Sequence, residues 1–106
     1  MEMLIVFCTL PDRDTAQRIA RALVEESLVA CVNLLPGVES IYRWEGVIET
    51  SQEVLALMKT TEPTYAKLEA RLKELHPYDV PEIVGVPVSL VQPGYAQWVA
   101  EMTKAG

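Results

Sequence analysis

Residues 29–44 and Val47–Thr60 read as two extended arms either side of Glu45-Gly46, and a hairpin of that length limits what a chain of 106 residues can fold into. β-Branched and aromatic residues fill Ile41-Tyr42-Arg43-Trp44 and the return Val47-Ile48, and Gly46 supplies a tight turn, although Glu is not a usual partner for Gly in a primed turn. At ~3.3 Å per residue, arms of roughly 14 residues give a ribbon of ~45 Å, longer than so small a domain can cover. Its tip is therefore expected to project beyond the subunit. Pro36-Gly37 interrupts the first arm, where proline removes a ladder donor and glycine permits an unusual backbone angle, so a bulge or kink is expected there.

Around this ribbon the elements alternate. Residues 3–9 are a compact apolar run with no helical spacing, stopped by Leu10-Pro11-Asp12, which predicts a buried strand. A helix follows, capped by Asp12 or Asp14, with Ala16, Ile19, Ala20, Leu23 and Val24 on one face. A second helix starts near Thr61 or Thr64 with Pro63 in its first turn, carries Tyr65, Leu68, Leu72 and Leu75 as a stripe, and ends at His76-Pro77. A last strand is expected over Glu82–Leu90, with Pro87 marking an edge or a bulge, and a short terminal helix over Tyr95–Lys104.

The order is βαββαβα in one domain spanning residues 1–106, since the chain is too short for two ordinary cores. Two right-handed crossovers place both long helices on one face of a four-stranded antiparallel sheet of order 4-1-3-2, the α+β arrangement called ferredoxin-like, here with an extra C-terminal helix. The first strand and Val54–Met58 are apolar on consecutive residues, the pattern of strands buried on both faces. A partner subunit is expected to cover the open face.

Charge and composition narrow the partners. Half of the residues are apolar, which excludes a disordered chain. The net charge of -6, with no Lys/Arg cluster, repels phosphate backbones and anionic headgroups, so nucleic acid is not an expected partner. No apolar run is long enough to span a membrane, and Met1-Glu2 leads straight into a short strand without the basic region of a signal peptide. The expected location is the cytoplasm, with Cys8 and Cys31 as free thiols. In the order 4-1-3-2 the third strand separates them.

The chain has one histidine, His76. A thiolate with an imidazole prefers copper or zinc to magnesium or calcium. Two Cys and one His do not complete a tetrahedral zinc site, so carboxylates, water or another subunit would have to contribute. Each residue also has a plainer reading. Cys8 suits a small buried hydrophobe in a strand, His76 suits a group satisfying helix-terminal carbonyls, and Cys31 reads as core. Tyr42, Trp44, Tyr78 and Trp98 read as packing between subunits rather than a ligand groove. Glu39, Glu49, Glu53 and Glu82 read as solvated, or paired to Arg43 and Lys59.

Several phrases, in order along nearly the whole chain, resemble the CutA family of divalent-cation-tolerance proteins. They are Phe7-Cys8-Thr9, CVN at 31–33, PGVESIYRWEG at 36–46, Lys59-Thr60, HPYDVPEI at 76–83, and Tyr95 with Trp98. The resemblance implies a ferredoxin-like subunit in a tight homotrimer, a role in tolerance of divalent metals such as copper, and a metal site at Cys8 and His76. Some relatives carry a second histidine just before the latter, where this chain has Leu75. The expected function is binding of copper or a similar divalent cation, zinc included, without catalytic turnover. The alternative is a trimeric small-molecule sensor or signalling protein with ligand sites in intersubunit clefts. No nucleophile–base pair, phosphate-cradling glycine loop or paired-acid motif points to an enzyme.

Overall fold

The fold is taken from a computed structural model that describes residues 2–104. Its elements are β1 (Met3–Leu10), α1 (Arg13–Glu25), β2 (Cys31–Trp44), β3 (Val47–Thr61), α2 (Glu62–Leu75), β4 (Val84–Pro87) and α3 (Pro93–Met102). The strands form one sheet of order β2-β3-β1-β4, every adjacent pair antiparallel. Asp12 caps α1, its carboxylate accepting the Thr15 N–H at 2.8 Å. Pro63 sits in the first turn of α2, where its missing N–H costs nothing.

Alternation along β1 sorts the sheet into two faces. Leu4, Val6, Cys8 and Leu10 join Val54, Ala56 and Met58 of β3 under Ile19 and Leu23 of α1 and Leu68 and Leu72 of α2, forming the main core. The other face is partly covered by the chain itself. Val99 of α3 packs on Met3 and Ala30, with Ile5, Val88 and Tyr95 alongside, while Phe7, Leu55 and Leu57 stay only half-buried. The apolar residues on the second face are thus explained in part by α3.

The hairpin runs as its sequence predicts. β2 and β3 pair from Cys31↔Lys59 to Trp44↔Val47, and the register slips between Leu35 and Val38, where Gly37 takes a φ of 78°. Every residue from Ile41 to Thr50 is exposed, and the molecule's long axis is 44 Å. At the tip Glu45 (φ 49°) and Gly46 (φ 80°) both adopt the left-handed conformation of a type I′ turn. Because that conformation strains a residue with an ordinary Cβ far more than Asn or Gly, Glu45→Asn should raise stability by about 0.5 kcal/mol, and Gly46→Val should lower it by about 1 kcal/mol or more. Urea denaturation of the two variants checks the sign.

β4 is shorter than its apolar pattern predicts, covering Val84–Pro87 rather than Glu82–Leu90. Pairing with β1 runs from Val84↔Phe7 to Pro87↔Leu4 with one further bond from the Val88 N–H to the Met3 carbonyl, where β1 itself begins, and the missing N–H of Pro87 falls on the outer side, away from β1. β4 is an edge strand, the position proline tolerates. Helix α3 begins at Pro93, two residues before the expected start, with the Gln92 side chain accepting the Tyr95 N–H at 2.7 Å. Cys8 on β1 and Cys31 on β2 are both free thiols, with β3 between their strands.

Candidate functional site

The early end of β4 shapes the site. Met3 and Thr9 lie an even number of residues apart on β1, so their carbonyls point to the same side, toward β4. Met3 is met there by the Val88 N–H at 2.9 Å. Thr9 lies beyond the last paired residue, Phe7, so no strand reaches its carbonyl. His76 does. Its Nε2 lies 2.8 Å from the Thr9 oxygen, and its Nδ1 accepts the Tyr78 N–H at 3.1 Å. An Nδ1 that accepts has no proton, so the Nε2 proton donates to Thr9 and the ring is locked in one neutral tautomer. The imidazole is only 7 % exposed, held where α2 ends with the His76 N–H bonded to the Leu72 carbonyl at 2.9 Å.

Cys8 is the neighbour of Thr9 on the helix-facing side and is fully buried, its Sγ 3.7 Å from the same Thr9 oxygen. The fold thus brings Cys8 and His76 to one carbonyl. Burial pushes the Cys8 thiol up to about 12, and the charges of Glu82 and Glu53 push the same way. In kind, thiol and imidazole suit a soft cation. In this arrangement a cation would have to displace a hydrogen bond from the ring and the proton from the thiol, since both ring nitrogens are engaged and the thiol is protonated. Among the described residues no three His, Cys, Asp or Glu side chains converge to hold a metal ion.

On the opposite face of the sheet, beside the Thr9 side chain, lies an open groove of about 540 Å³. Tyr42, Trp44 and Tyr78 line it with Glu49, Glu53, Asp79 and Glu82, and no lysine or arginine is among its walls. The register explains the company. Tyr42 pairs with Glu49 and Val38 with Glu53, so these residues share one face of the ribbon. Tyr78 reaches them from the 76–82 turn, its ring 4.7 Å from the His76 ring and its hydroxyl donating to Glu53 Oε2 at 2.8 Å. Desolvation and the Glu53 charge hold that phenol protonated, pushing it up to about 12.

The aromatic residues therefore divide. Three line this groove, while Trp98 stacks near Tyr95 on α3, ring centroids 5.6 Å apart. The carboxylates depart from the expected solvated or paired state at one position: Glu53 is 9 % exposed, and the ion pairs found join Arg71 to Glu26 and Glu74 instead. Lys59 bonds Asn33, and Arg43 donates to the Gly46 carbonyl. A usable signal lay in the sequence: with Val54, Ala56 and Met58 facing the helices, alternation sends Glu53 to the other face, and the bulge sets it opposite Val38.

A four-stranded antiparallel sheet with two helices packed on one face and strand order β2-β3-β1-β4 defines a ferredoxin-like α+β subunit. The model of the CutA1 divalent ion tolerance protein family matches residues 4–102, and the chain belongs to that family. It is 50% identical over 99 residues to the divalent-cation tolerance protein CutA of Thermus thermophilus, covering 93% of this chain and 96% of that one. It is 44% identical to the CutA of Pyrococcus horikoshii, covering 96% and 99%. The crystal structure of CutA1 from Oryza sativa superposes with a TM-score of 0.96 at 35% identity, covering 100% of this chain and 97% of that one. No helix among the described residues is long and apolar enough to cross a membrane.

Proposed function

We propose that this protein serves divalent-cation tolerance as a cytoplasmic homotrimer that binds copper or a similar soft cation without turning over a substrate. The observation that carries the reading is the meeting of Cys8 and His76 at the Thr9 carbonyl, within the field of Glu53 and Glu82, in a chain of this family. The cation is cargo. Its charge offsets the burial and the two carboxylates, Glu82 and Glu53, that together hold the Cys8 proton in place, and so favours the thiolate it needs. Coordination by His76 would cost one of the two hydrogen bonds of its ring, about 1 kcal/mol, and coordination by Cys8 would release the thiol proton to water. Two donors are too few for a tight site, so water or a neighbouring subunit completes the set. The half-buried Phe7, Leu55 and Leu57 and the exposed Val84 and Val86 on the β4 edge support assembly.

Calorimetric titration with Cu²⁺ at neutral pH tests the donors. Cys8→Ser and His76→Gln should each weaken binding by roughly tenfold or more, while light scattering shows both variants as trimers like the parent. Gln keeps an N–H for the Thr9 carbonyl, which separates ligation from folding. Unchanged affinity in both variants would remove the pair from the cation site, and a parent that stays monomeric at micromolar concentration would remove the trimer.

A further inference from the structure

Cys8 and His76 are a small donor set in a dry place. Cys8 is fully buried and His76 is 7 % exposed. Cys8 packs in the core on the helix-facing side of the sheet, so its burial comes from this chain alone. His76 is the only histidine of the chain, and the other thiol, Cys31, stands on β2 with β3 between its strand and β1. Among the described residues no third His, Cys, Asp or Glu converges with the pair. A divalent zinc or copper ion asks for about four donors, whereas closed-shell Cu⁺ is satisfied by as few as two soft ones, and thiolate selects it over harder ions.

Charge separates the two oxidation states of copper further. The Cys8 thiol is held protonated first by burial and second by the Glu82 and Glu53 charges. A single positive charge neutralises the thiolate, replacing the proton and leaving the net charge of the core as it was. A second charge has only the two carboxylates to offset it, the lesser of the two effects, and burial opposes it. Resting on the reading of Cys8 and His76 as the cation site, we propose that the copper they hold is monovalent, Cu⁺ taken up in exchange for the Cys8 proton. The Cu–S bond forms as the S–H bond breaks, the proton leaves to water, and no electron is transferred. A compartment that keeps thiols reduced supplies copper in this state.

Anaerobic competition for Cu⁺ between the protein and bicinchoninate, beside calorimetry with Cu²⁺, tests this in a Cys31→Ser background that removes the exposed thiol. The expected result is one Cu⁺ per chain, held about 1000-fold or more tighter than Cu²⁺. Cys8→Ser should weaken Cu⁺ binding by about 100-fold or more and His76→Gln by about tenfold. Equal affinity for the two oxidation states overturns the proposal, as does a Cu⁺ affinity that Cys8→Ser leaves unchanged. If Cu²⁺ affinity still falls in both variants after such a failure, the soft-cation site stands with a divalent occupant. If neither ion responds to either variant, the site falls together with the proposal.

Discussion

Replacing His76 with leucine should lower the unfolding free energy by about 3 kcal/mol. Leucine keeps much of the volume, so the loss does not come from a cavity. It comes from the Thr9 carbonyl and the Tyr78 N–H, which lose their partners together, at about 1–3 kcal/mol for each buried group left unsatisfied. No strand stands in reserve, because β4 has already stopped opposite Phe7. His76→Gln should recover part of the loss by donating to Thr9 from its amide. Urea denaturation at matched protein concentration gives the comparison, since assembly would otherwise shift the midpoint. A leucine variant within about 1 kcal/mol of the parent would mean that water or a small backbone shift satisfies both groups and that His76 is not the tie between α2 and β1.

The two thiols should differ in reactivity by a wide margin. Cys31 is half-exposed with its Sγ 3.4 Å from the Tyr95 hydroxyl, whereas Cys8 is fully buried with its thiol pushed up to about 12. At pH 8 a thiol of that kind is ionised to roughly one part in ten thousand, about a thousandfold less than an unperturbed one. Dithionitrobenzoate should therefore modify Cys31 first and reach Cys8 at least ~100-fold more slowly, through opening of the core. Similar rates for both would contradict the burial of Cys8. The same shift fixes a pH dependence. The unfolded chain releases the Cys8 proton near 9.0 and the folded chain near 12, so the folded state binds more protons between them and stability falls as pH rises through that window. Cys8→Ser should remove that part of the alkaline loss, while Tyr78 and Tyr95, both raised from 10.0 to about 12, leave a loss of the same sign that begins at higher pH.

The fold was legible where period and punctuation agree. The i, i+3, i+4 stripes of α1 and α2 set both helices, Pro36-Gly37 marked the slip in β2, and two crossovers set the strand order. Where hydrophobicity and hydrogen bonding part company, the reading overshot. Val88 and Leu90 continue the apolar pattern of β4, but β1 begins at Met3, whose carbonyl takes the Val88 N–H, and past that point no strand is left to pair with. For the second apolar face, a pattern of burial does not say whether the cover comes from another copy or from the same chain, and α3 supplies part of it. At the site, the residue types were visible and their hydrogen bonds were not. Nothing in the spacing of Thr9, His76 and Tyr78 says that both ring nitrogens are spoken for. The partner that Glu53 takes is neither water nor Arg43 or Lys59 but a tyrosine 25 residues away in sequence, which no local pattern shows.

The placement of β1 has a consequence for how the chain is made. Its two neighbours in the sheet are residues 54–61 and 84–87, whereas β2 and β3 meet across a two-residue turn. The hairpin can close on contacts a few residues apart, and the loop that joins β1 to β4 must span most of the sequence. On a ribosome delivering residues one at a time, the Leu4–Cys8 run emerges before any strand that can pair with it, and it gains its second partner only when residue 87 has been added. The most apolar strand of the sheet is thus made before its partners and enclosed after the others, so exposure to chaperones and to other nascent chains is longest at β1.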